Sequence, residues 1–200
     1  MINLQPFCAG PDELRYYLQN PWRQDGRIFA TNGHIMIAID DDGRECGEAP
    51  NDAVQRSCLR YVSQLADTYL PIDKFPLPPV EPCPSCVAGK VMANIIEPCR
   101  ECDGSGDTQC DMGHDHDCPD CNGTGDIETG EKAEDDCADC SGTGENAVQA
   151  VRVFGAHVNR KYLALIAALP DAEIGIMDVS DKPIPFRFTG GNGVVMGLRV

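Results

Sequence analysis

The sequence predicts an α+β domain whose chain is interrupted by a long segment with no hydrophobic core of its own. Three observations carry that expectation. Strand-like and helix-like apolar patterns fill residues 1–80 and 147–200, while between Pro82 and Gly144 little apolar material occurs beyond Val91-Met92 and Ile95-Ile96. Of the net charge of −16, residues 81–146 hold −14, with three Lys/Arg against seventeen Asp/Glu. Nine of the twelve cysteines fall in that same segment. A stretch so polar cannot be ordered by burial, so some other cross-link has to order it.

The flanks read element by element. GRIFATNGHIMIAIDDDG predicts two strands around Asn32-Gly33, a type I′ hairpin signal, with Ile35, Ile37 and Ile39 alternating with Met36 and Ala38. PNDAVQRSCLRYVSQLADTYL predicts a helix. Asp52 and Gln55 have capping-box spacing, and Val54, Cys58, Leu59, Val62, Leu65, Ala66 and Tyr69 make one apolar stripe. LPIDKFPLPPVEP is a proline-rich connector that stops that helix. After the polar segment, NAVQAVRVFGAHV reads as a strand, and Asn159 caps a helix that Pro170 ends. AEIGIMDV, PIPFRFTG and GVVMGLRV read as three strands. The GGNG at 190–193 is the expected last turn, and Pro183 and Pro185 suggest an edge position for the strand they open.

Within residues 81–146 the cysteines fall into four units: CPSCVAGK from Cys83, CRECDGSG from Cys99, CPDCNGTG from Cys118 and CADCSGTG from Cys137. Three of them follow Cys-x-x-Cys-x-Gly-x-Gly. Two intervening residues let both thiolates of a tight turn reach one Zn²⁺, and two such turns complete a tetrahedron with Zn–S of about 2.3 Å. The glycines suit the chain reversal just past the second thiolate, where φ turns positive. Four turns supply eight thiolates, enough for two closed Cys₄ sites of structural type. Cys110, His114 and His116 are surplus to those eight. They are either a third metal or redox site, or a solvated acidic tip. Cys8, Cys46 and Cys58 read as small buried apolar residues.

The four-unit array resembles the cysteine-rich zinc domain of DnaJ-type co-chaperones over residues 83–144. In that family the first and fourth units share one zinc, and the second and third share the other. The resemblance therefore implies zinc one on Cys83, Cys86, Cys137 and Cys140, and zinc two on Cys99, Cys102, Cys118 and Cys121. The first unit departs from the pattern, with Ala88 and Lys90 in place of glycines, so its turn must differ. No His-Pro-Asp and no basic helical J-domain occur, so stimulation of an Hsp70 is not implied. What the resemblance leaves is a capacity to hold polypeptide.

The flanks are similar to one domain of the bacterial DNA sliding clamp, the β subunit of the replicase. IFATNGHIMIAI resembles the family's ATDGHRLA hairpin, with Asn32 for the usual Asp. HVNRKYLALIAALPDAEIGI resembles its strand, N-x-K-Y-L helix and strand. PIPFRFTGGNGVVMGLRV resembles its closing hairpin. The fold implied is a single sliding-clamp-like domain, an antiparallel sheet packed with two helices, into which a two-zinc DnaJ-type finger is inserted. Residues 1–80 and 147–200 would form the discontinuous clamp-like domain, and residues 81–146 the insert.

Composition narrows the function. Phosphate binding needs Lys and Arg to displace counterions, so direct nucleic-acid binding by so acidic a finger is excluded. Arg56, Arg60, Arg160 and Lys161 read as solvated mixed faces rather than a duplex-facing surface. No phosphate-cradling Gly-Lys-Ser/Thr, no His-Glu-x-x-His and no nucleophile elbow occurs, and His34 and His157 stand alone on turn or strand segments. MINLQPFCAGPDE lacks a signal-peptide pattern and no run is long enough to span a bilayer. A cytoplasmic protein without a membrane partner is expected.

The expected function is a non-catalytic protein-interaction module whose acidic zinc arm docks on a protein partner. That partner is a basic surface, including a nucleic-acid-binding groove that the arm mimics DNA to fill, or an unfolded polypeptide. A replication-associated sliding clamp or decoy clamp is the first alternative, and a thiol–disulfide oxidoreductase the second. The pairing of parts suggests a phage-like origin.

Overall fold

Alternating apolar residues build the first strands, and the computed structural model describes residues 1–110, 113–177 and 183–198. In chain order the elements are β1 (Trp22–Gln24), β2 (Arg27–Thr31), β3 (Ile35–Asp40), α1 (Asp52–Val62) and β4 (Tyr69–Pro71). Next come β5 (Lys90–Pro98), β6 (Asp107–Gln109), β7 (Asp115–Asp117) and β8 (Asp126–Asp136). The last are β9 (Ala150–Val153), β10 (Ala156–Asn159), α2 (Arg160–Ala167), β11 (Glu173–Gly175), β12 (Ile184–Phe188) and β13 (Gly191–Val195). The chain divides into two units. Met1–Pro79 with Val148–Val200 makes the first, and Val80–Ala147 the second. Among the described residues no helix is long and apolar enough to cross a membrane.

The first unit is a mixed α/β domain built on a seven-stranded antiparallel sheet in the order β1-β2-β3-β13-β12-β11-β4. Period-2 alternation sends successive side chains to opposite faces, and both faces of the central strands are covered. Ile35, Ile37 and Ile39 of β3 pack with Tyr162, Leu163 and Ile166 of α2 and with Phe186, while Met36 and Ala38 pack with Trp22, Phe29, Cys58 and Val62. Helix α1 supplies the second layer through Cys58 and Val62, and α2 the first. Cys8 and Cys46 are half-buried against the α2-side core.

Several local expectations are corrected. The β2–β3 turn is not type I′, which needs two residues with positive φ. Only Gly33 has one (+89°), and Asn32 Oδ1 accepts from the backbone N–H of His34 (3.0 Å) and Ile35 (3.1 Å) to close the loop. Asn51, not Asp52, caps α1, accepting from the N–H of Ala53 and Val54 at 3.1 Å, so Gln55 has no capping box to join and donates to Pro50 O instead. The helix stops at Val62. Leu65 is exposed and Tyr69 opens β4, because the ladder with β11 claims that segment.

NAVQAVRVFGAHV is two strands rather than one, β9 and β10 paired around a turn at Phe154 (φ +52°). The last hairpin turns at Thr189-Gly190, with Gly191 and Gly193 already inside β13. A Cβ on Gly193 would lie 2.3 Å from the Phe186 ring, so that glycine makes room for an aromatic core residue. Strand β12 is interior, between β11 and β13, and not an edge. Its Pro185 is tolerated because the β11 ladder ends at Ile174–Phe186, one residue before the missing N–H would be needed. The predicted strand over AEIGIMDV is observed as Glu173–Gly175, and its Asp178 and Val179 lie outside the described residues.

The second unit has two hairpins, β5 with β8 and β6 with β7. Its buried residues, among those described, are seven cysteines and three glycines. Such burial offers no apolar core.

Candidate metal centre

The tight turns of the second unit gather its cysteines into two groups. Cys83, Cys86, Cys137 and Cys140 form one, and Cys99, Cys102, Cys118 and Cys121 the other, with the sulfur atoms of each group all within 4.8 Å of one another. Between the units that face each other the sulfurs approach to 4.0 Å for Cys83–Cys137, 3.6 Å for Cys86–Cys140, 3.8 Å for Cys99–Cys118 and 3.7 Å for Cys102–Cys121. A tetrahedron with Zn–S of about 2.3 Å has sulfur–sulfur edges of about 3.8 Å, so both groups fit Zn²⁺. These separations are far beyond a disulfide bond of about 2.05 Å. Two tetrahedral thiolate sites for two Zn²⁺ ions are present. Bound there, zinc would act as a structural cross-link, with all four positions filled by sulfur and none left for a substrate.

Each group is assembled by two units related by a local pseudo-twofold, visible in reciprocal hydrogen bonds. The N–H of Cys99 donates to Gly125 O and that of Cys118 to Gly106 O, both at 2.7 Å. In the other group Cys83 N–H donates to Gly144 O and Cys137 N–H to Gly89 O, both at 2.8 Å. These bonds bring backbones so close that side chains are forbidden. A Cβ on Gly106 would sit 2.5 Å from Gly123 O, and one on Gly89 only 2.1 Å from Gly142 O. The sequence reading assigned the glycines to chain reversal alone and missed this second role.

The first unit closes differently. It is one residue shorter between its first cysteine and its last glycine, and Ala88 (φ +51°) and Gly89 (φ +87°) form a two-residue turn bridged by Val87 and Lys90. That turn leaves Cys86 half-buried beside an open depression lined by Val87, Met92 and Glu134, whereas the other seven ligands are buried.

Zinc ligation requires thiolates. Burial raises the Cys121 and Cys140 thiols, but the N–H of Gly125 (3.2 Å) and of Gly144 (3.3 Å) donates to their sulfurs. With the neighbouring cysteines, these donors bring both down to about 7. A thiolate is thus within reach in each group near neutral pH. The arm's formal charge of −14 becomes about −18 when eight thiolates and two Zn²⁺ are counted.

The remaining sequence candidates scatter. Cys110 is half-buried and His114 and His116 exposed on the β6–β7 hairpin, apart from both sulfur groups. In the first unit a cleft of about 400 Å³ is lined by Arg15, Tyr17, His34, Cys58, Tyr61 and Met196. Burial pushes Cys58 up to about 11, the opposite of what a nucleophile requires, and His34 stacks on Tyr162 with ring centres 6.0 Å apart. His157 lies in β10. Arg160 donates to Pro78 O at 2.6 Å, and Lys161 lies over the Tyr162 ring. No catalytic constellation emerges from these residues.

No family model matches the chain, and no curated protein matches it. Among solved structures the chain is similar to the C. crescentus beta sliding clamp, crystallised with PEG bound. The identity is 13% and the TM-score 0.41, over 98% of this chain and 62% of that one. The chain thus spans less than two thirds of the clamp's length. That weak fold match is too loose to transfer a residue, a ring or a partner from the clamp to this chain.

Proposed function

We propose that this protein is a non-catalytic interaction module in which a zinc-held acidic arm of DnaJ-like type docks on a basic surface of a protein partner. The β5–β8 hairpin carries the reading. All eleven residues of β8 are exposed, six of them acidic against a single lysine. Register places Met92 opposite Glu134 and Ile96 opposite Glu128, and Asn94 donates to Glu128 at 2.9 Å on that same face. Met92 and Ile96 are 62% and 59% exposed, large apolar side chains left in water inside an acidic frame. Lys90, paired with Asp136 at 2.7 Å, and Lys132, opposite Asn94, share that face with Asp126, Glu128, Glu134 and Asp136, which leaves it net acidic. Apolar anchors in a net-acidic frame suit a partner of net opposite sign. A basic groove that itself binds nucleic acid is one such surface. The zinc sites serve this arm by holding its two strands in register, since no core does so.

Affinity capture with the zinc-loaded full chain tests the reading. A specific protein should be retained at low salt and released as salt rises. It should be lost on E128K/E134K and on M92S/I96S while both zincs remain bound. Retention that ignores both pairs of substitutions would overturn the proposal, as would a chain that captures nothing at low salt.

A further inference from the structure

The β6–β7 hairpin carries a set of metal-binding side chains unlike the two sulfur groups, and it stands independently of the docking reading. Register pairs Thr108 with His116 and Gln109 with Asp115. The turn is closed by Cys110 N–H donating to His114 O at 3.1 Å and Gly113 N–H donating to Cys110 O at 2.8 Å, with Gly113 at φ +77°. Cys110 and His114 are therefore the next facing pair. Facing residues share a side of a ladder, as do residues two apart on one strand. Thr108, Cys110, His114 and His116 consequently lie on one face, and Asp107, Gln109, Asp115 and Asp117 on the other. The contacts agree: Thr108 Oγ1 meets His116 Nε2 at 3.2 Å, and Gln109 donates to Asp115 at 2.9 Å on the opposite face.

We propose that Cys110, His114 and His116 form a third, open metal site for a divalent ion of the Zn²⁺ type, with a solvent molecule completing the coordination. One thiolate and two imidazoles are a borderline-soft donor set, and three protein ligands leave an exchangeable position that the two sulfur groups lack. The reach is adequate. Facing Cβ atoms lie about 5 Å apart and diagonal ones about 7–8 Å or less, distances that thiol and imidazole side chains close to Zn–S of about 2.3 Å and Zn–N of about 2.0–2.1 Å. His116 Nδ1 lies 3.4 Å from His114 O. With its proton donated there, Nε2 holds the lone pair that now accepts from the Thr108 hydroxyl, and an ion would displace that hydroxyl.

The three donor atoms do not converge in the present rotamers: among the described residues only the two sulfur groups bring theirs within 4.8 Å. Capture therefore turns the half-buried Cys110 and the exposed His114 and His116 side chains of the hairpin, and the third ion binds more weakly than the first two. The arm's charge of −14 raises the local concentration of cations and favours that capture.

The test uses the reduced full chain carrying two zincs, dialysed against rising free Zn²⁺ with bound metal counted. A third equivalent is expected, and the ring signals of His114 and His116 should shift with it while those of His34 and His157 stay. C110S, H114A and H116A should each weaken the third equivalent about tenfold or more and leave two zincs in place. Saturation at two equivalents would overturn the site. So would a third equivalent that persists in the triple variant, since the acidic surface would then be the binder. Should a variant also shed its two structural zincs, the histidine shifts of the unsubstituted chain decide.

Discussion

The two units of this chain solve one problem by different chemistry. The first unit buries Trp22, Phe29, Ile37, Leu163, Ile166 and Phe186 at 0–1% exposure on the two faces of a sheet. Each such side chain contributes about 1.5–3 kcal/mol by leaving water. The second unit buries cysteines and glycines, which carry little apolar area. Structural Zn²⁺ contributes about 10–16 kcal/mol apparent in small fingers, a gain that becomes folding free energy where no core exists. One unit is stabilised by many small terms spread over a surface, the other by two large terms at two points. The failure modes should differ accordingly.

Metal removal is the sharpest way to separate them. Chelation of both zincs at neutral pH should release backbone amides throughout Val80–Ala147 to solvent exchange rates. Amides of β2, β3, β12 and β13 should keep their protection, measured by hydrogen exchange on the intact chain. The converse is Phe186→Ala, which removes about 3–5 kcal/mol from the first unit. It should lower the unfolding midpoint read from Trp22, the only tryptophan and fully buried there, while zinc stoichiometry stays at two. If stripping the metal unfolds β2 and β3 as well, or leaves the arm's amides protected, the contrast drawn between the units is wrong.

The arm was the more legible half of the sequence. Ligand spacing is set locally by two intervening residues, so Cys-x-x-Cys units could be read one at a time. The strands and helices of the first unit were also visible as patterns. What escaped were features decided by distant neighbours. Gly191 and Gly193 looked like turn residues because their sequence context is GGNG, but the rings of Phe188 and Phe186 across the ladder require their missing side chains. Pro185 argued for an edge, since a single strand does not announce where its neighbour's ladder stops. Leu65 and Ala66 extended the periodicity of α1 beyond Val62, where pairing of β4 with β11 overrides helix propensity. The pairing of sulfurs among four equivalent units came only from a family likeness. Nothing in spacing alone selects first with fourth and second with third.

Thiols provide the next contrast, smaller in energy. Cys58 of the first unit meets the opposite field to Cys121 and Cys140 of the second, whose neighbours Cys118 and Cys86 are themselves raised, to about 11 and about 12. Burial without a charged partner lifts Cys58 from 9.0 to about 11, whereas backbone N–H donors hold Cys121 and Cys140 near 7. For Cys58 the folded state disfavours the thiolate, so the unfolded chain binds fewer protons once pH exceeds 9. Stability is therefore complete below about pH 9 and is lost as pH rises toward 11. The loss is at most about 2–3 kcal/mol. Urea midpoints read from Trp22 between pH 8 and 11 should fall with that slope, and Cys58→Ala should flatten it even though the truncation lowers stability at every pH. Equal slopes in the two proteins would mean that another group governs alkaline unfolding.

The smallest effect separates two glycines within the arm that look alike in backbone conformation. Gly106 and Gly130 have φ of +84° and +79°, so alanine at either is strained by about 1–2 kcal/mol. Around Gly130, in the irregular part of β8, nothing lies within 4 Å of an added Cβ. At Gly106 that Cβ would meet Gly123 O at 2.5 Å, across the backbone contact that pairs the second and third cysteine units. Gly130→Ala should therefore cost only the strain and leave both zincs at wild-type affinity. Gly106→Ala has to separate the two knuckles as well, and should weaken one zinc of the two by about tenfold more, equivalent to roughly 1.4 kcal/mol. Chelator competition at two-zinc loading reads the difference directly. If both variants lose zinc equally, positive φ is the whole role of these glycines. The reciprocal Cys99–Gly125 and Cys118–Gly106 bonds would then be a consequence of metal binding and no part of what prepares the site for it.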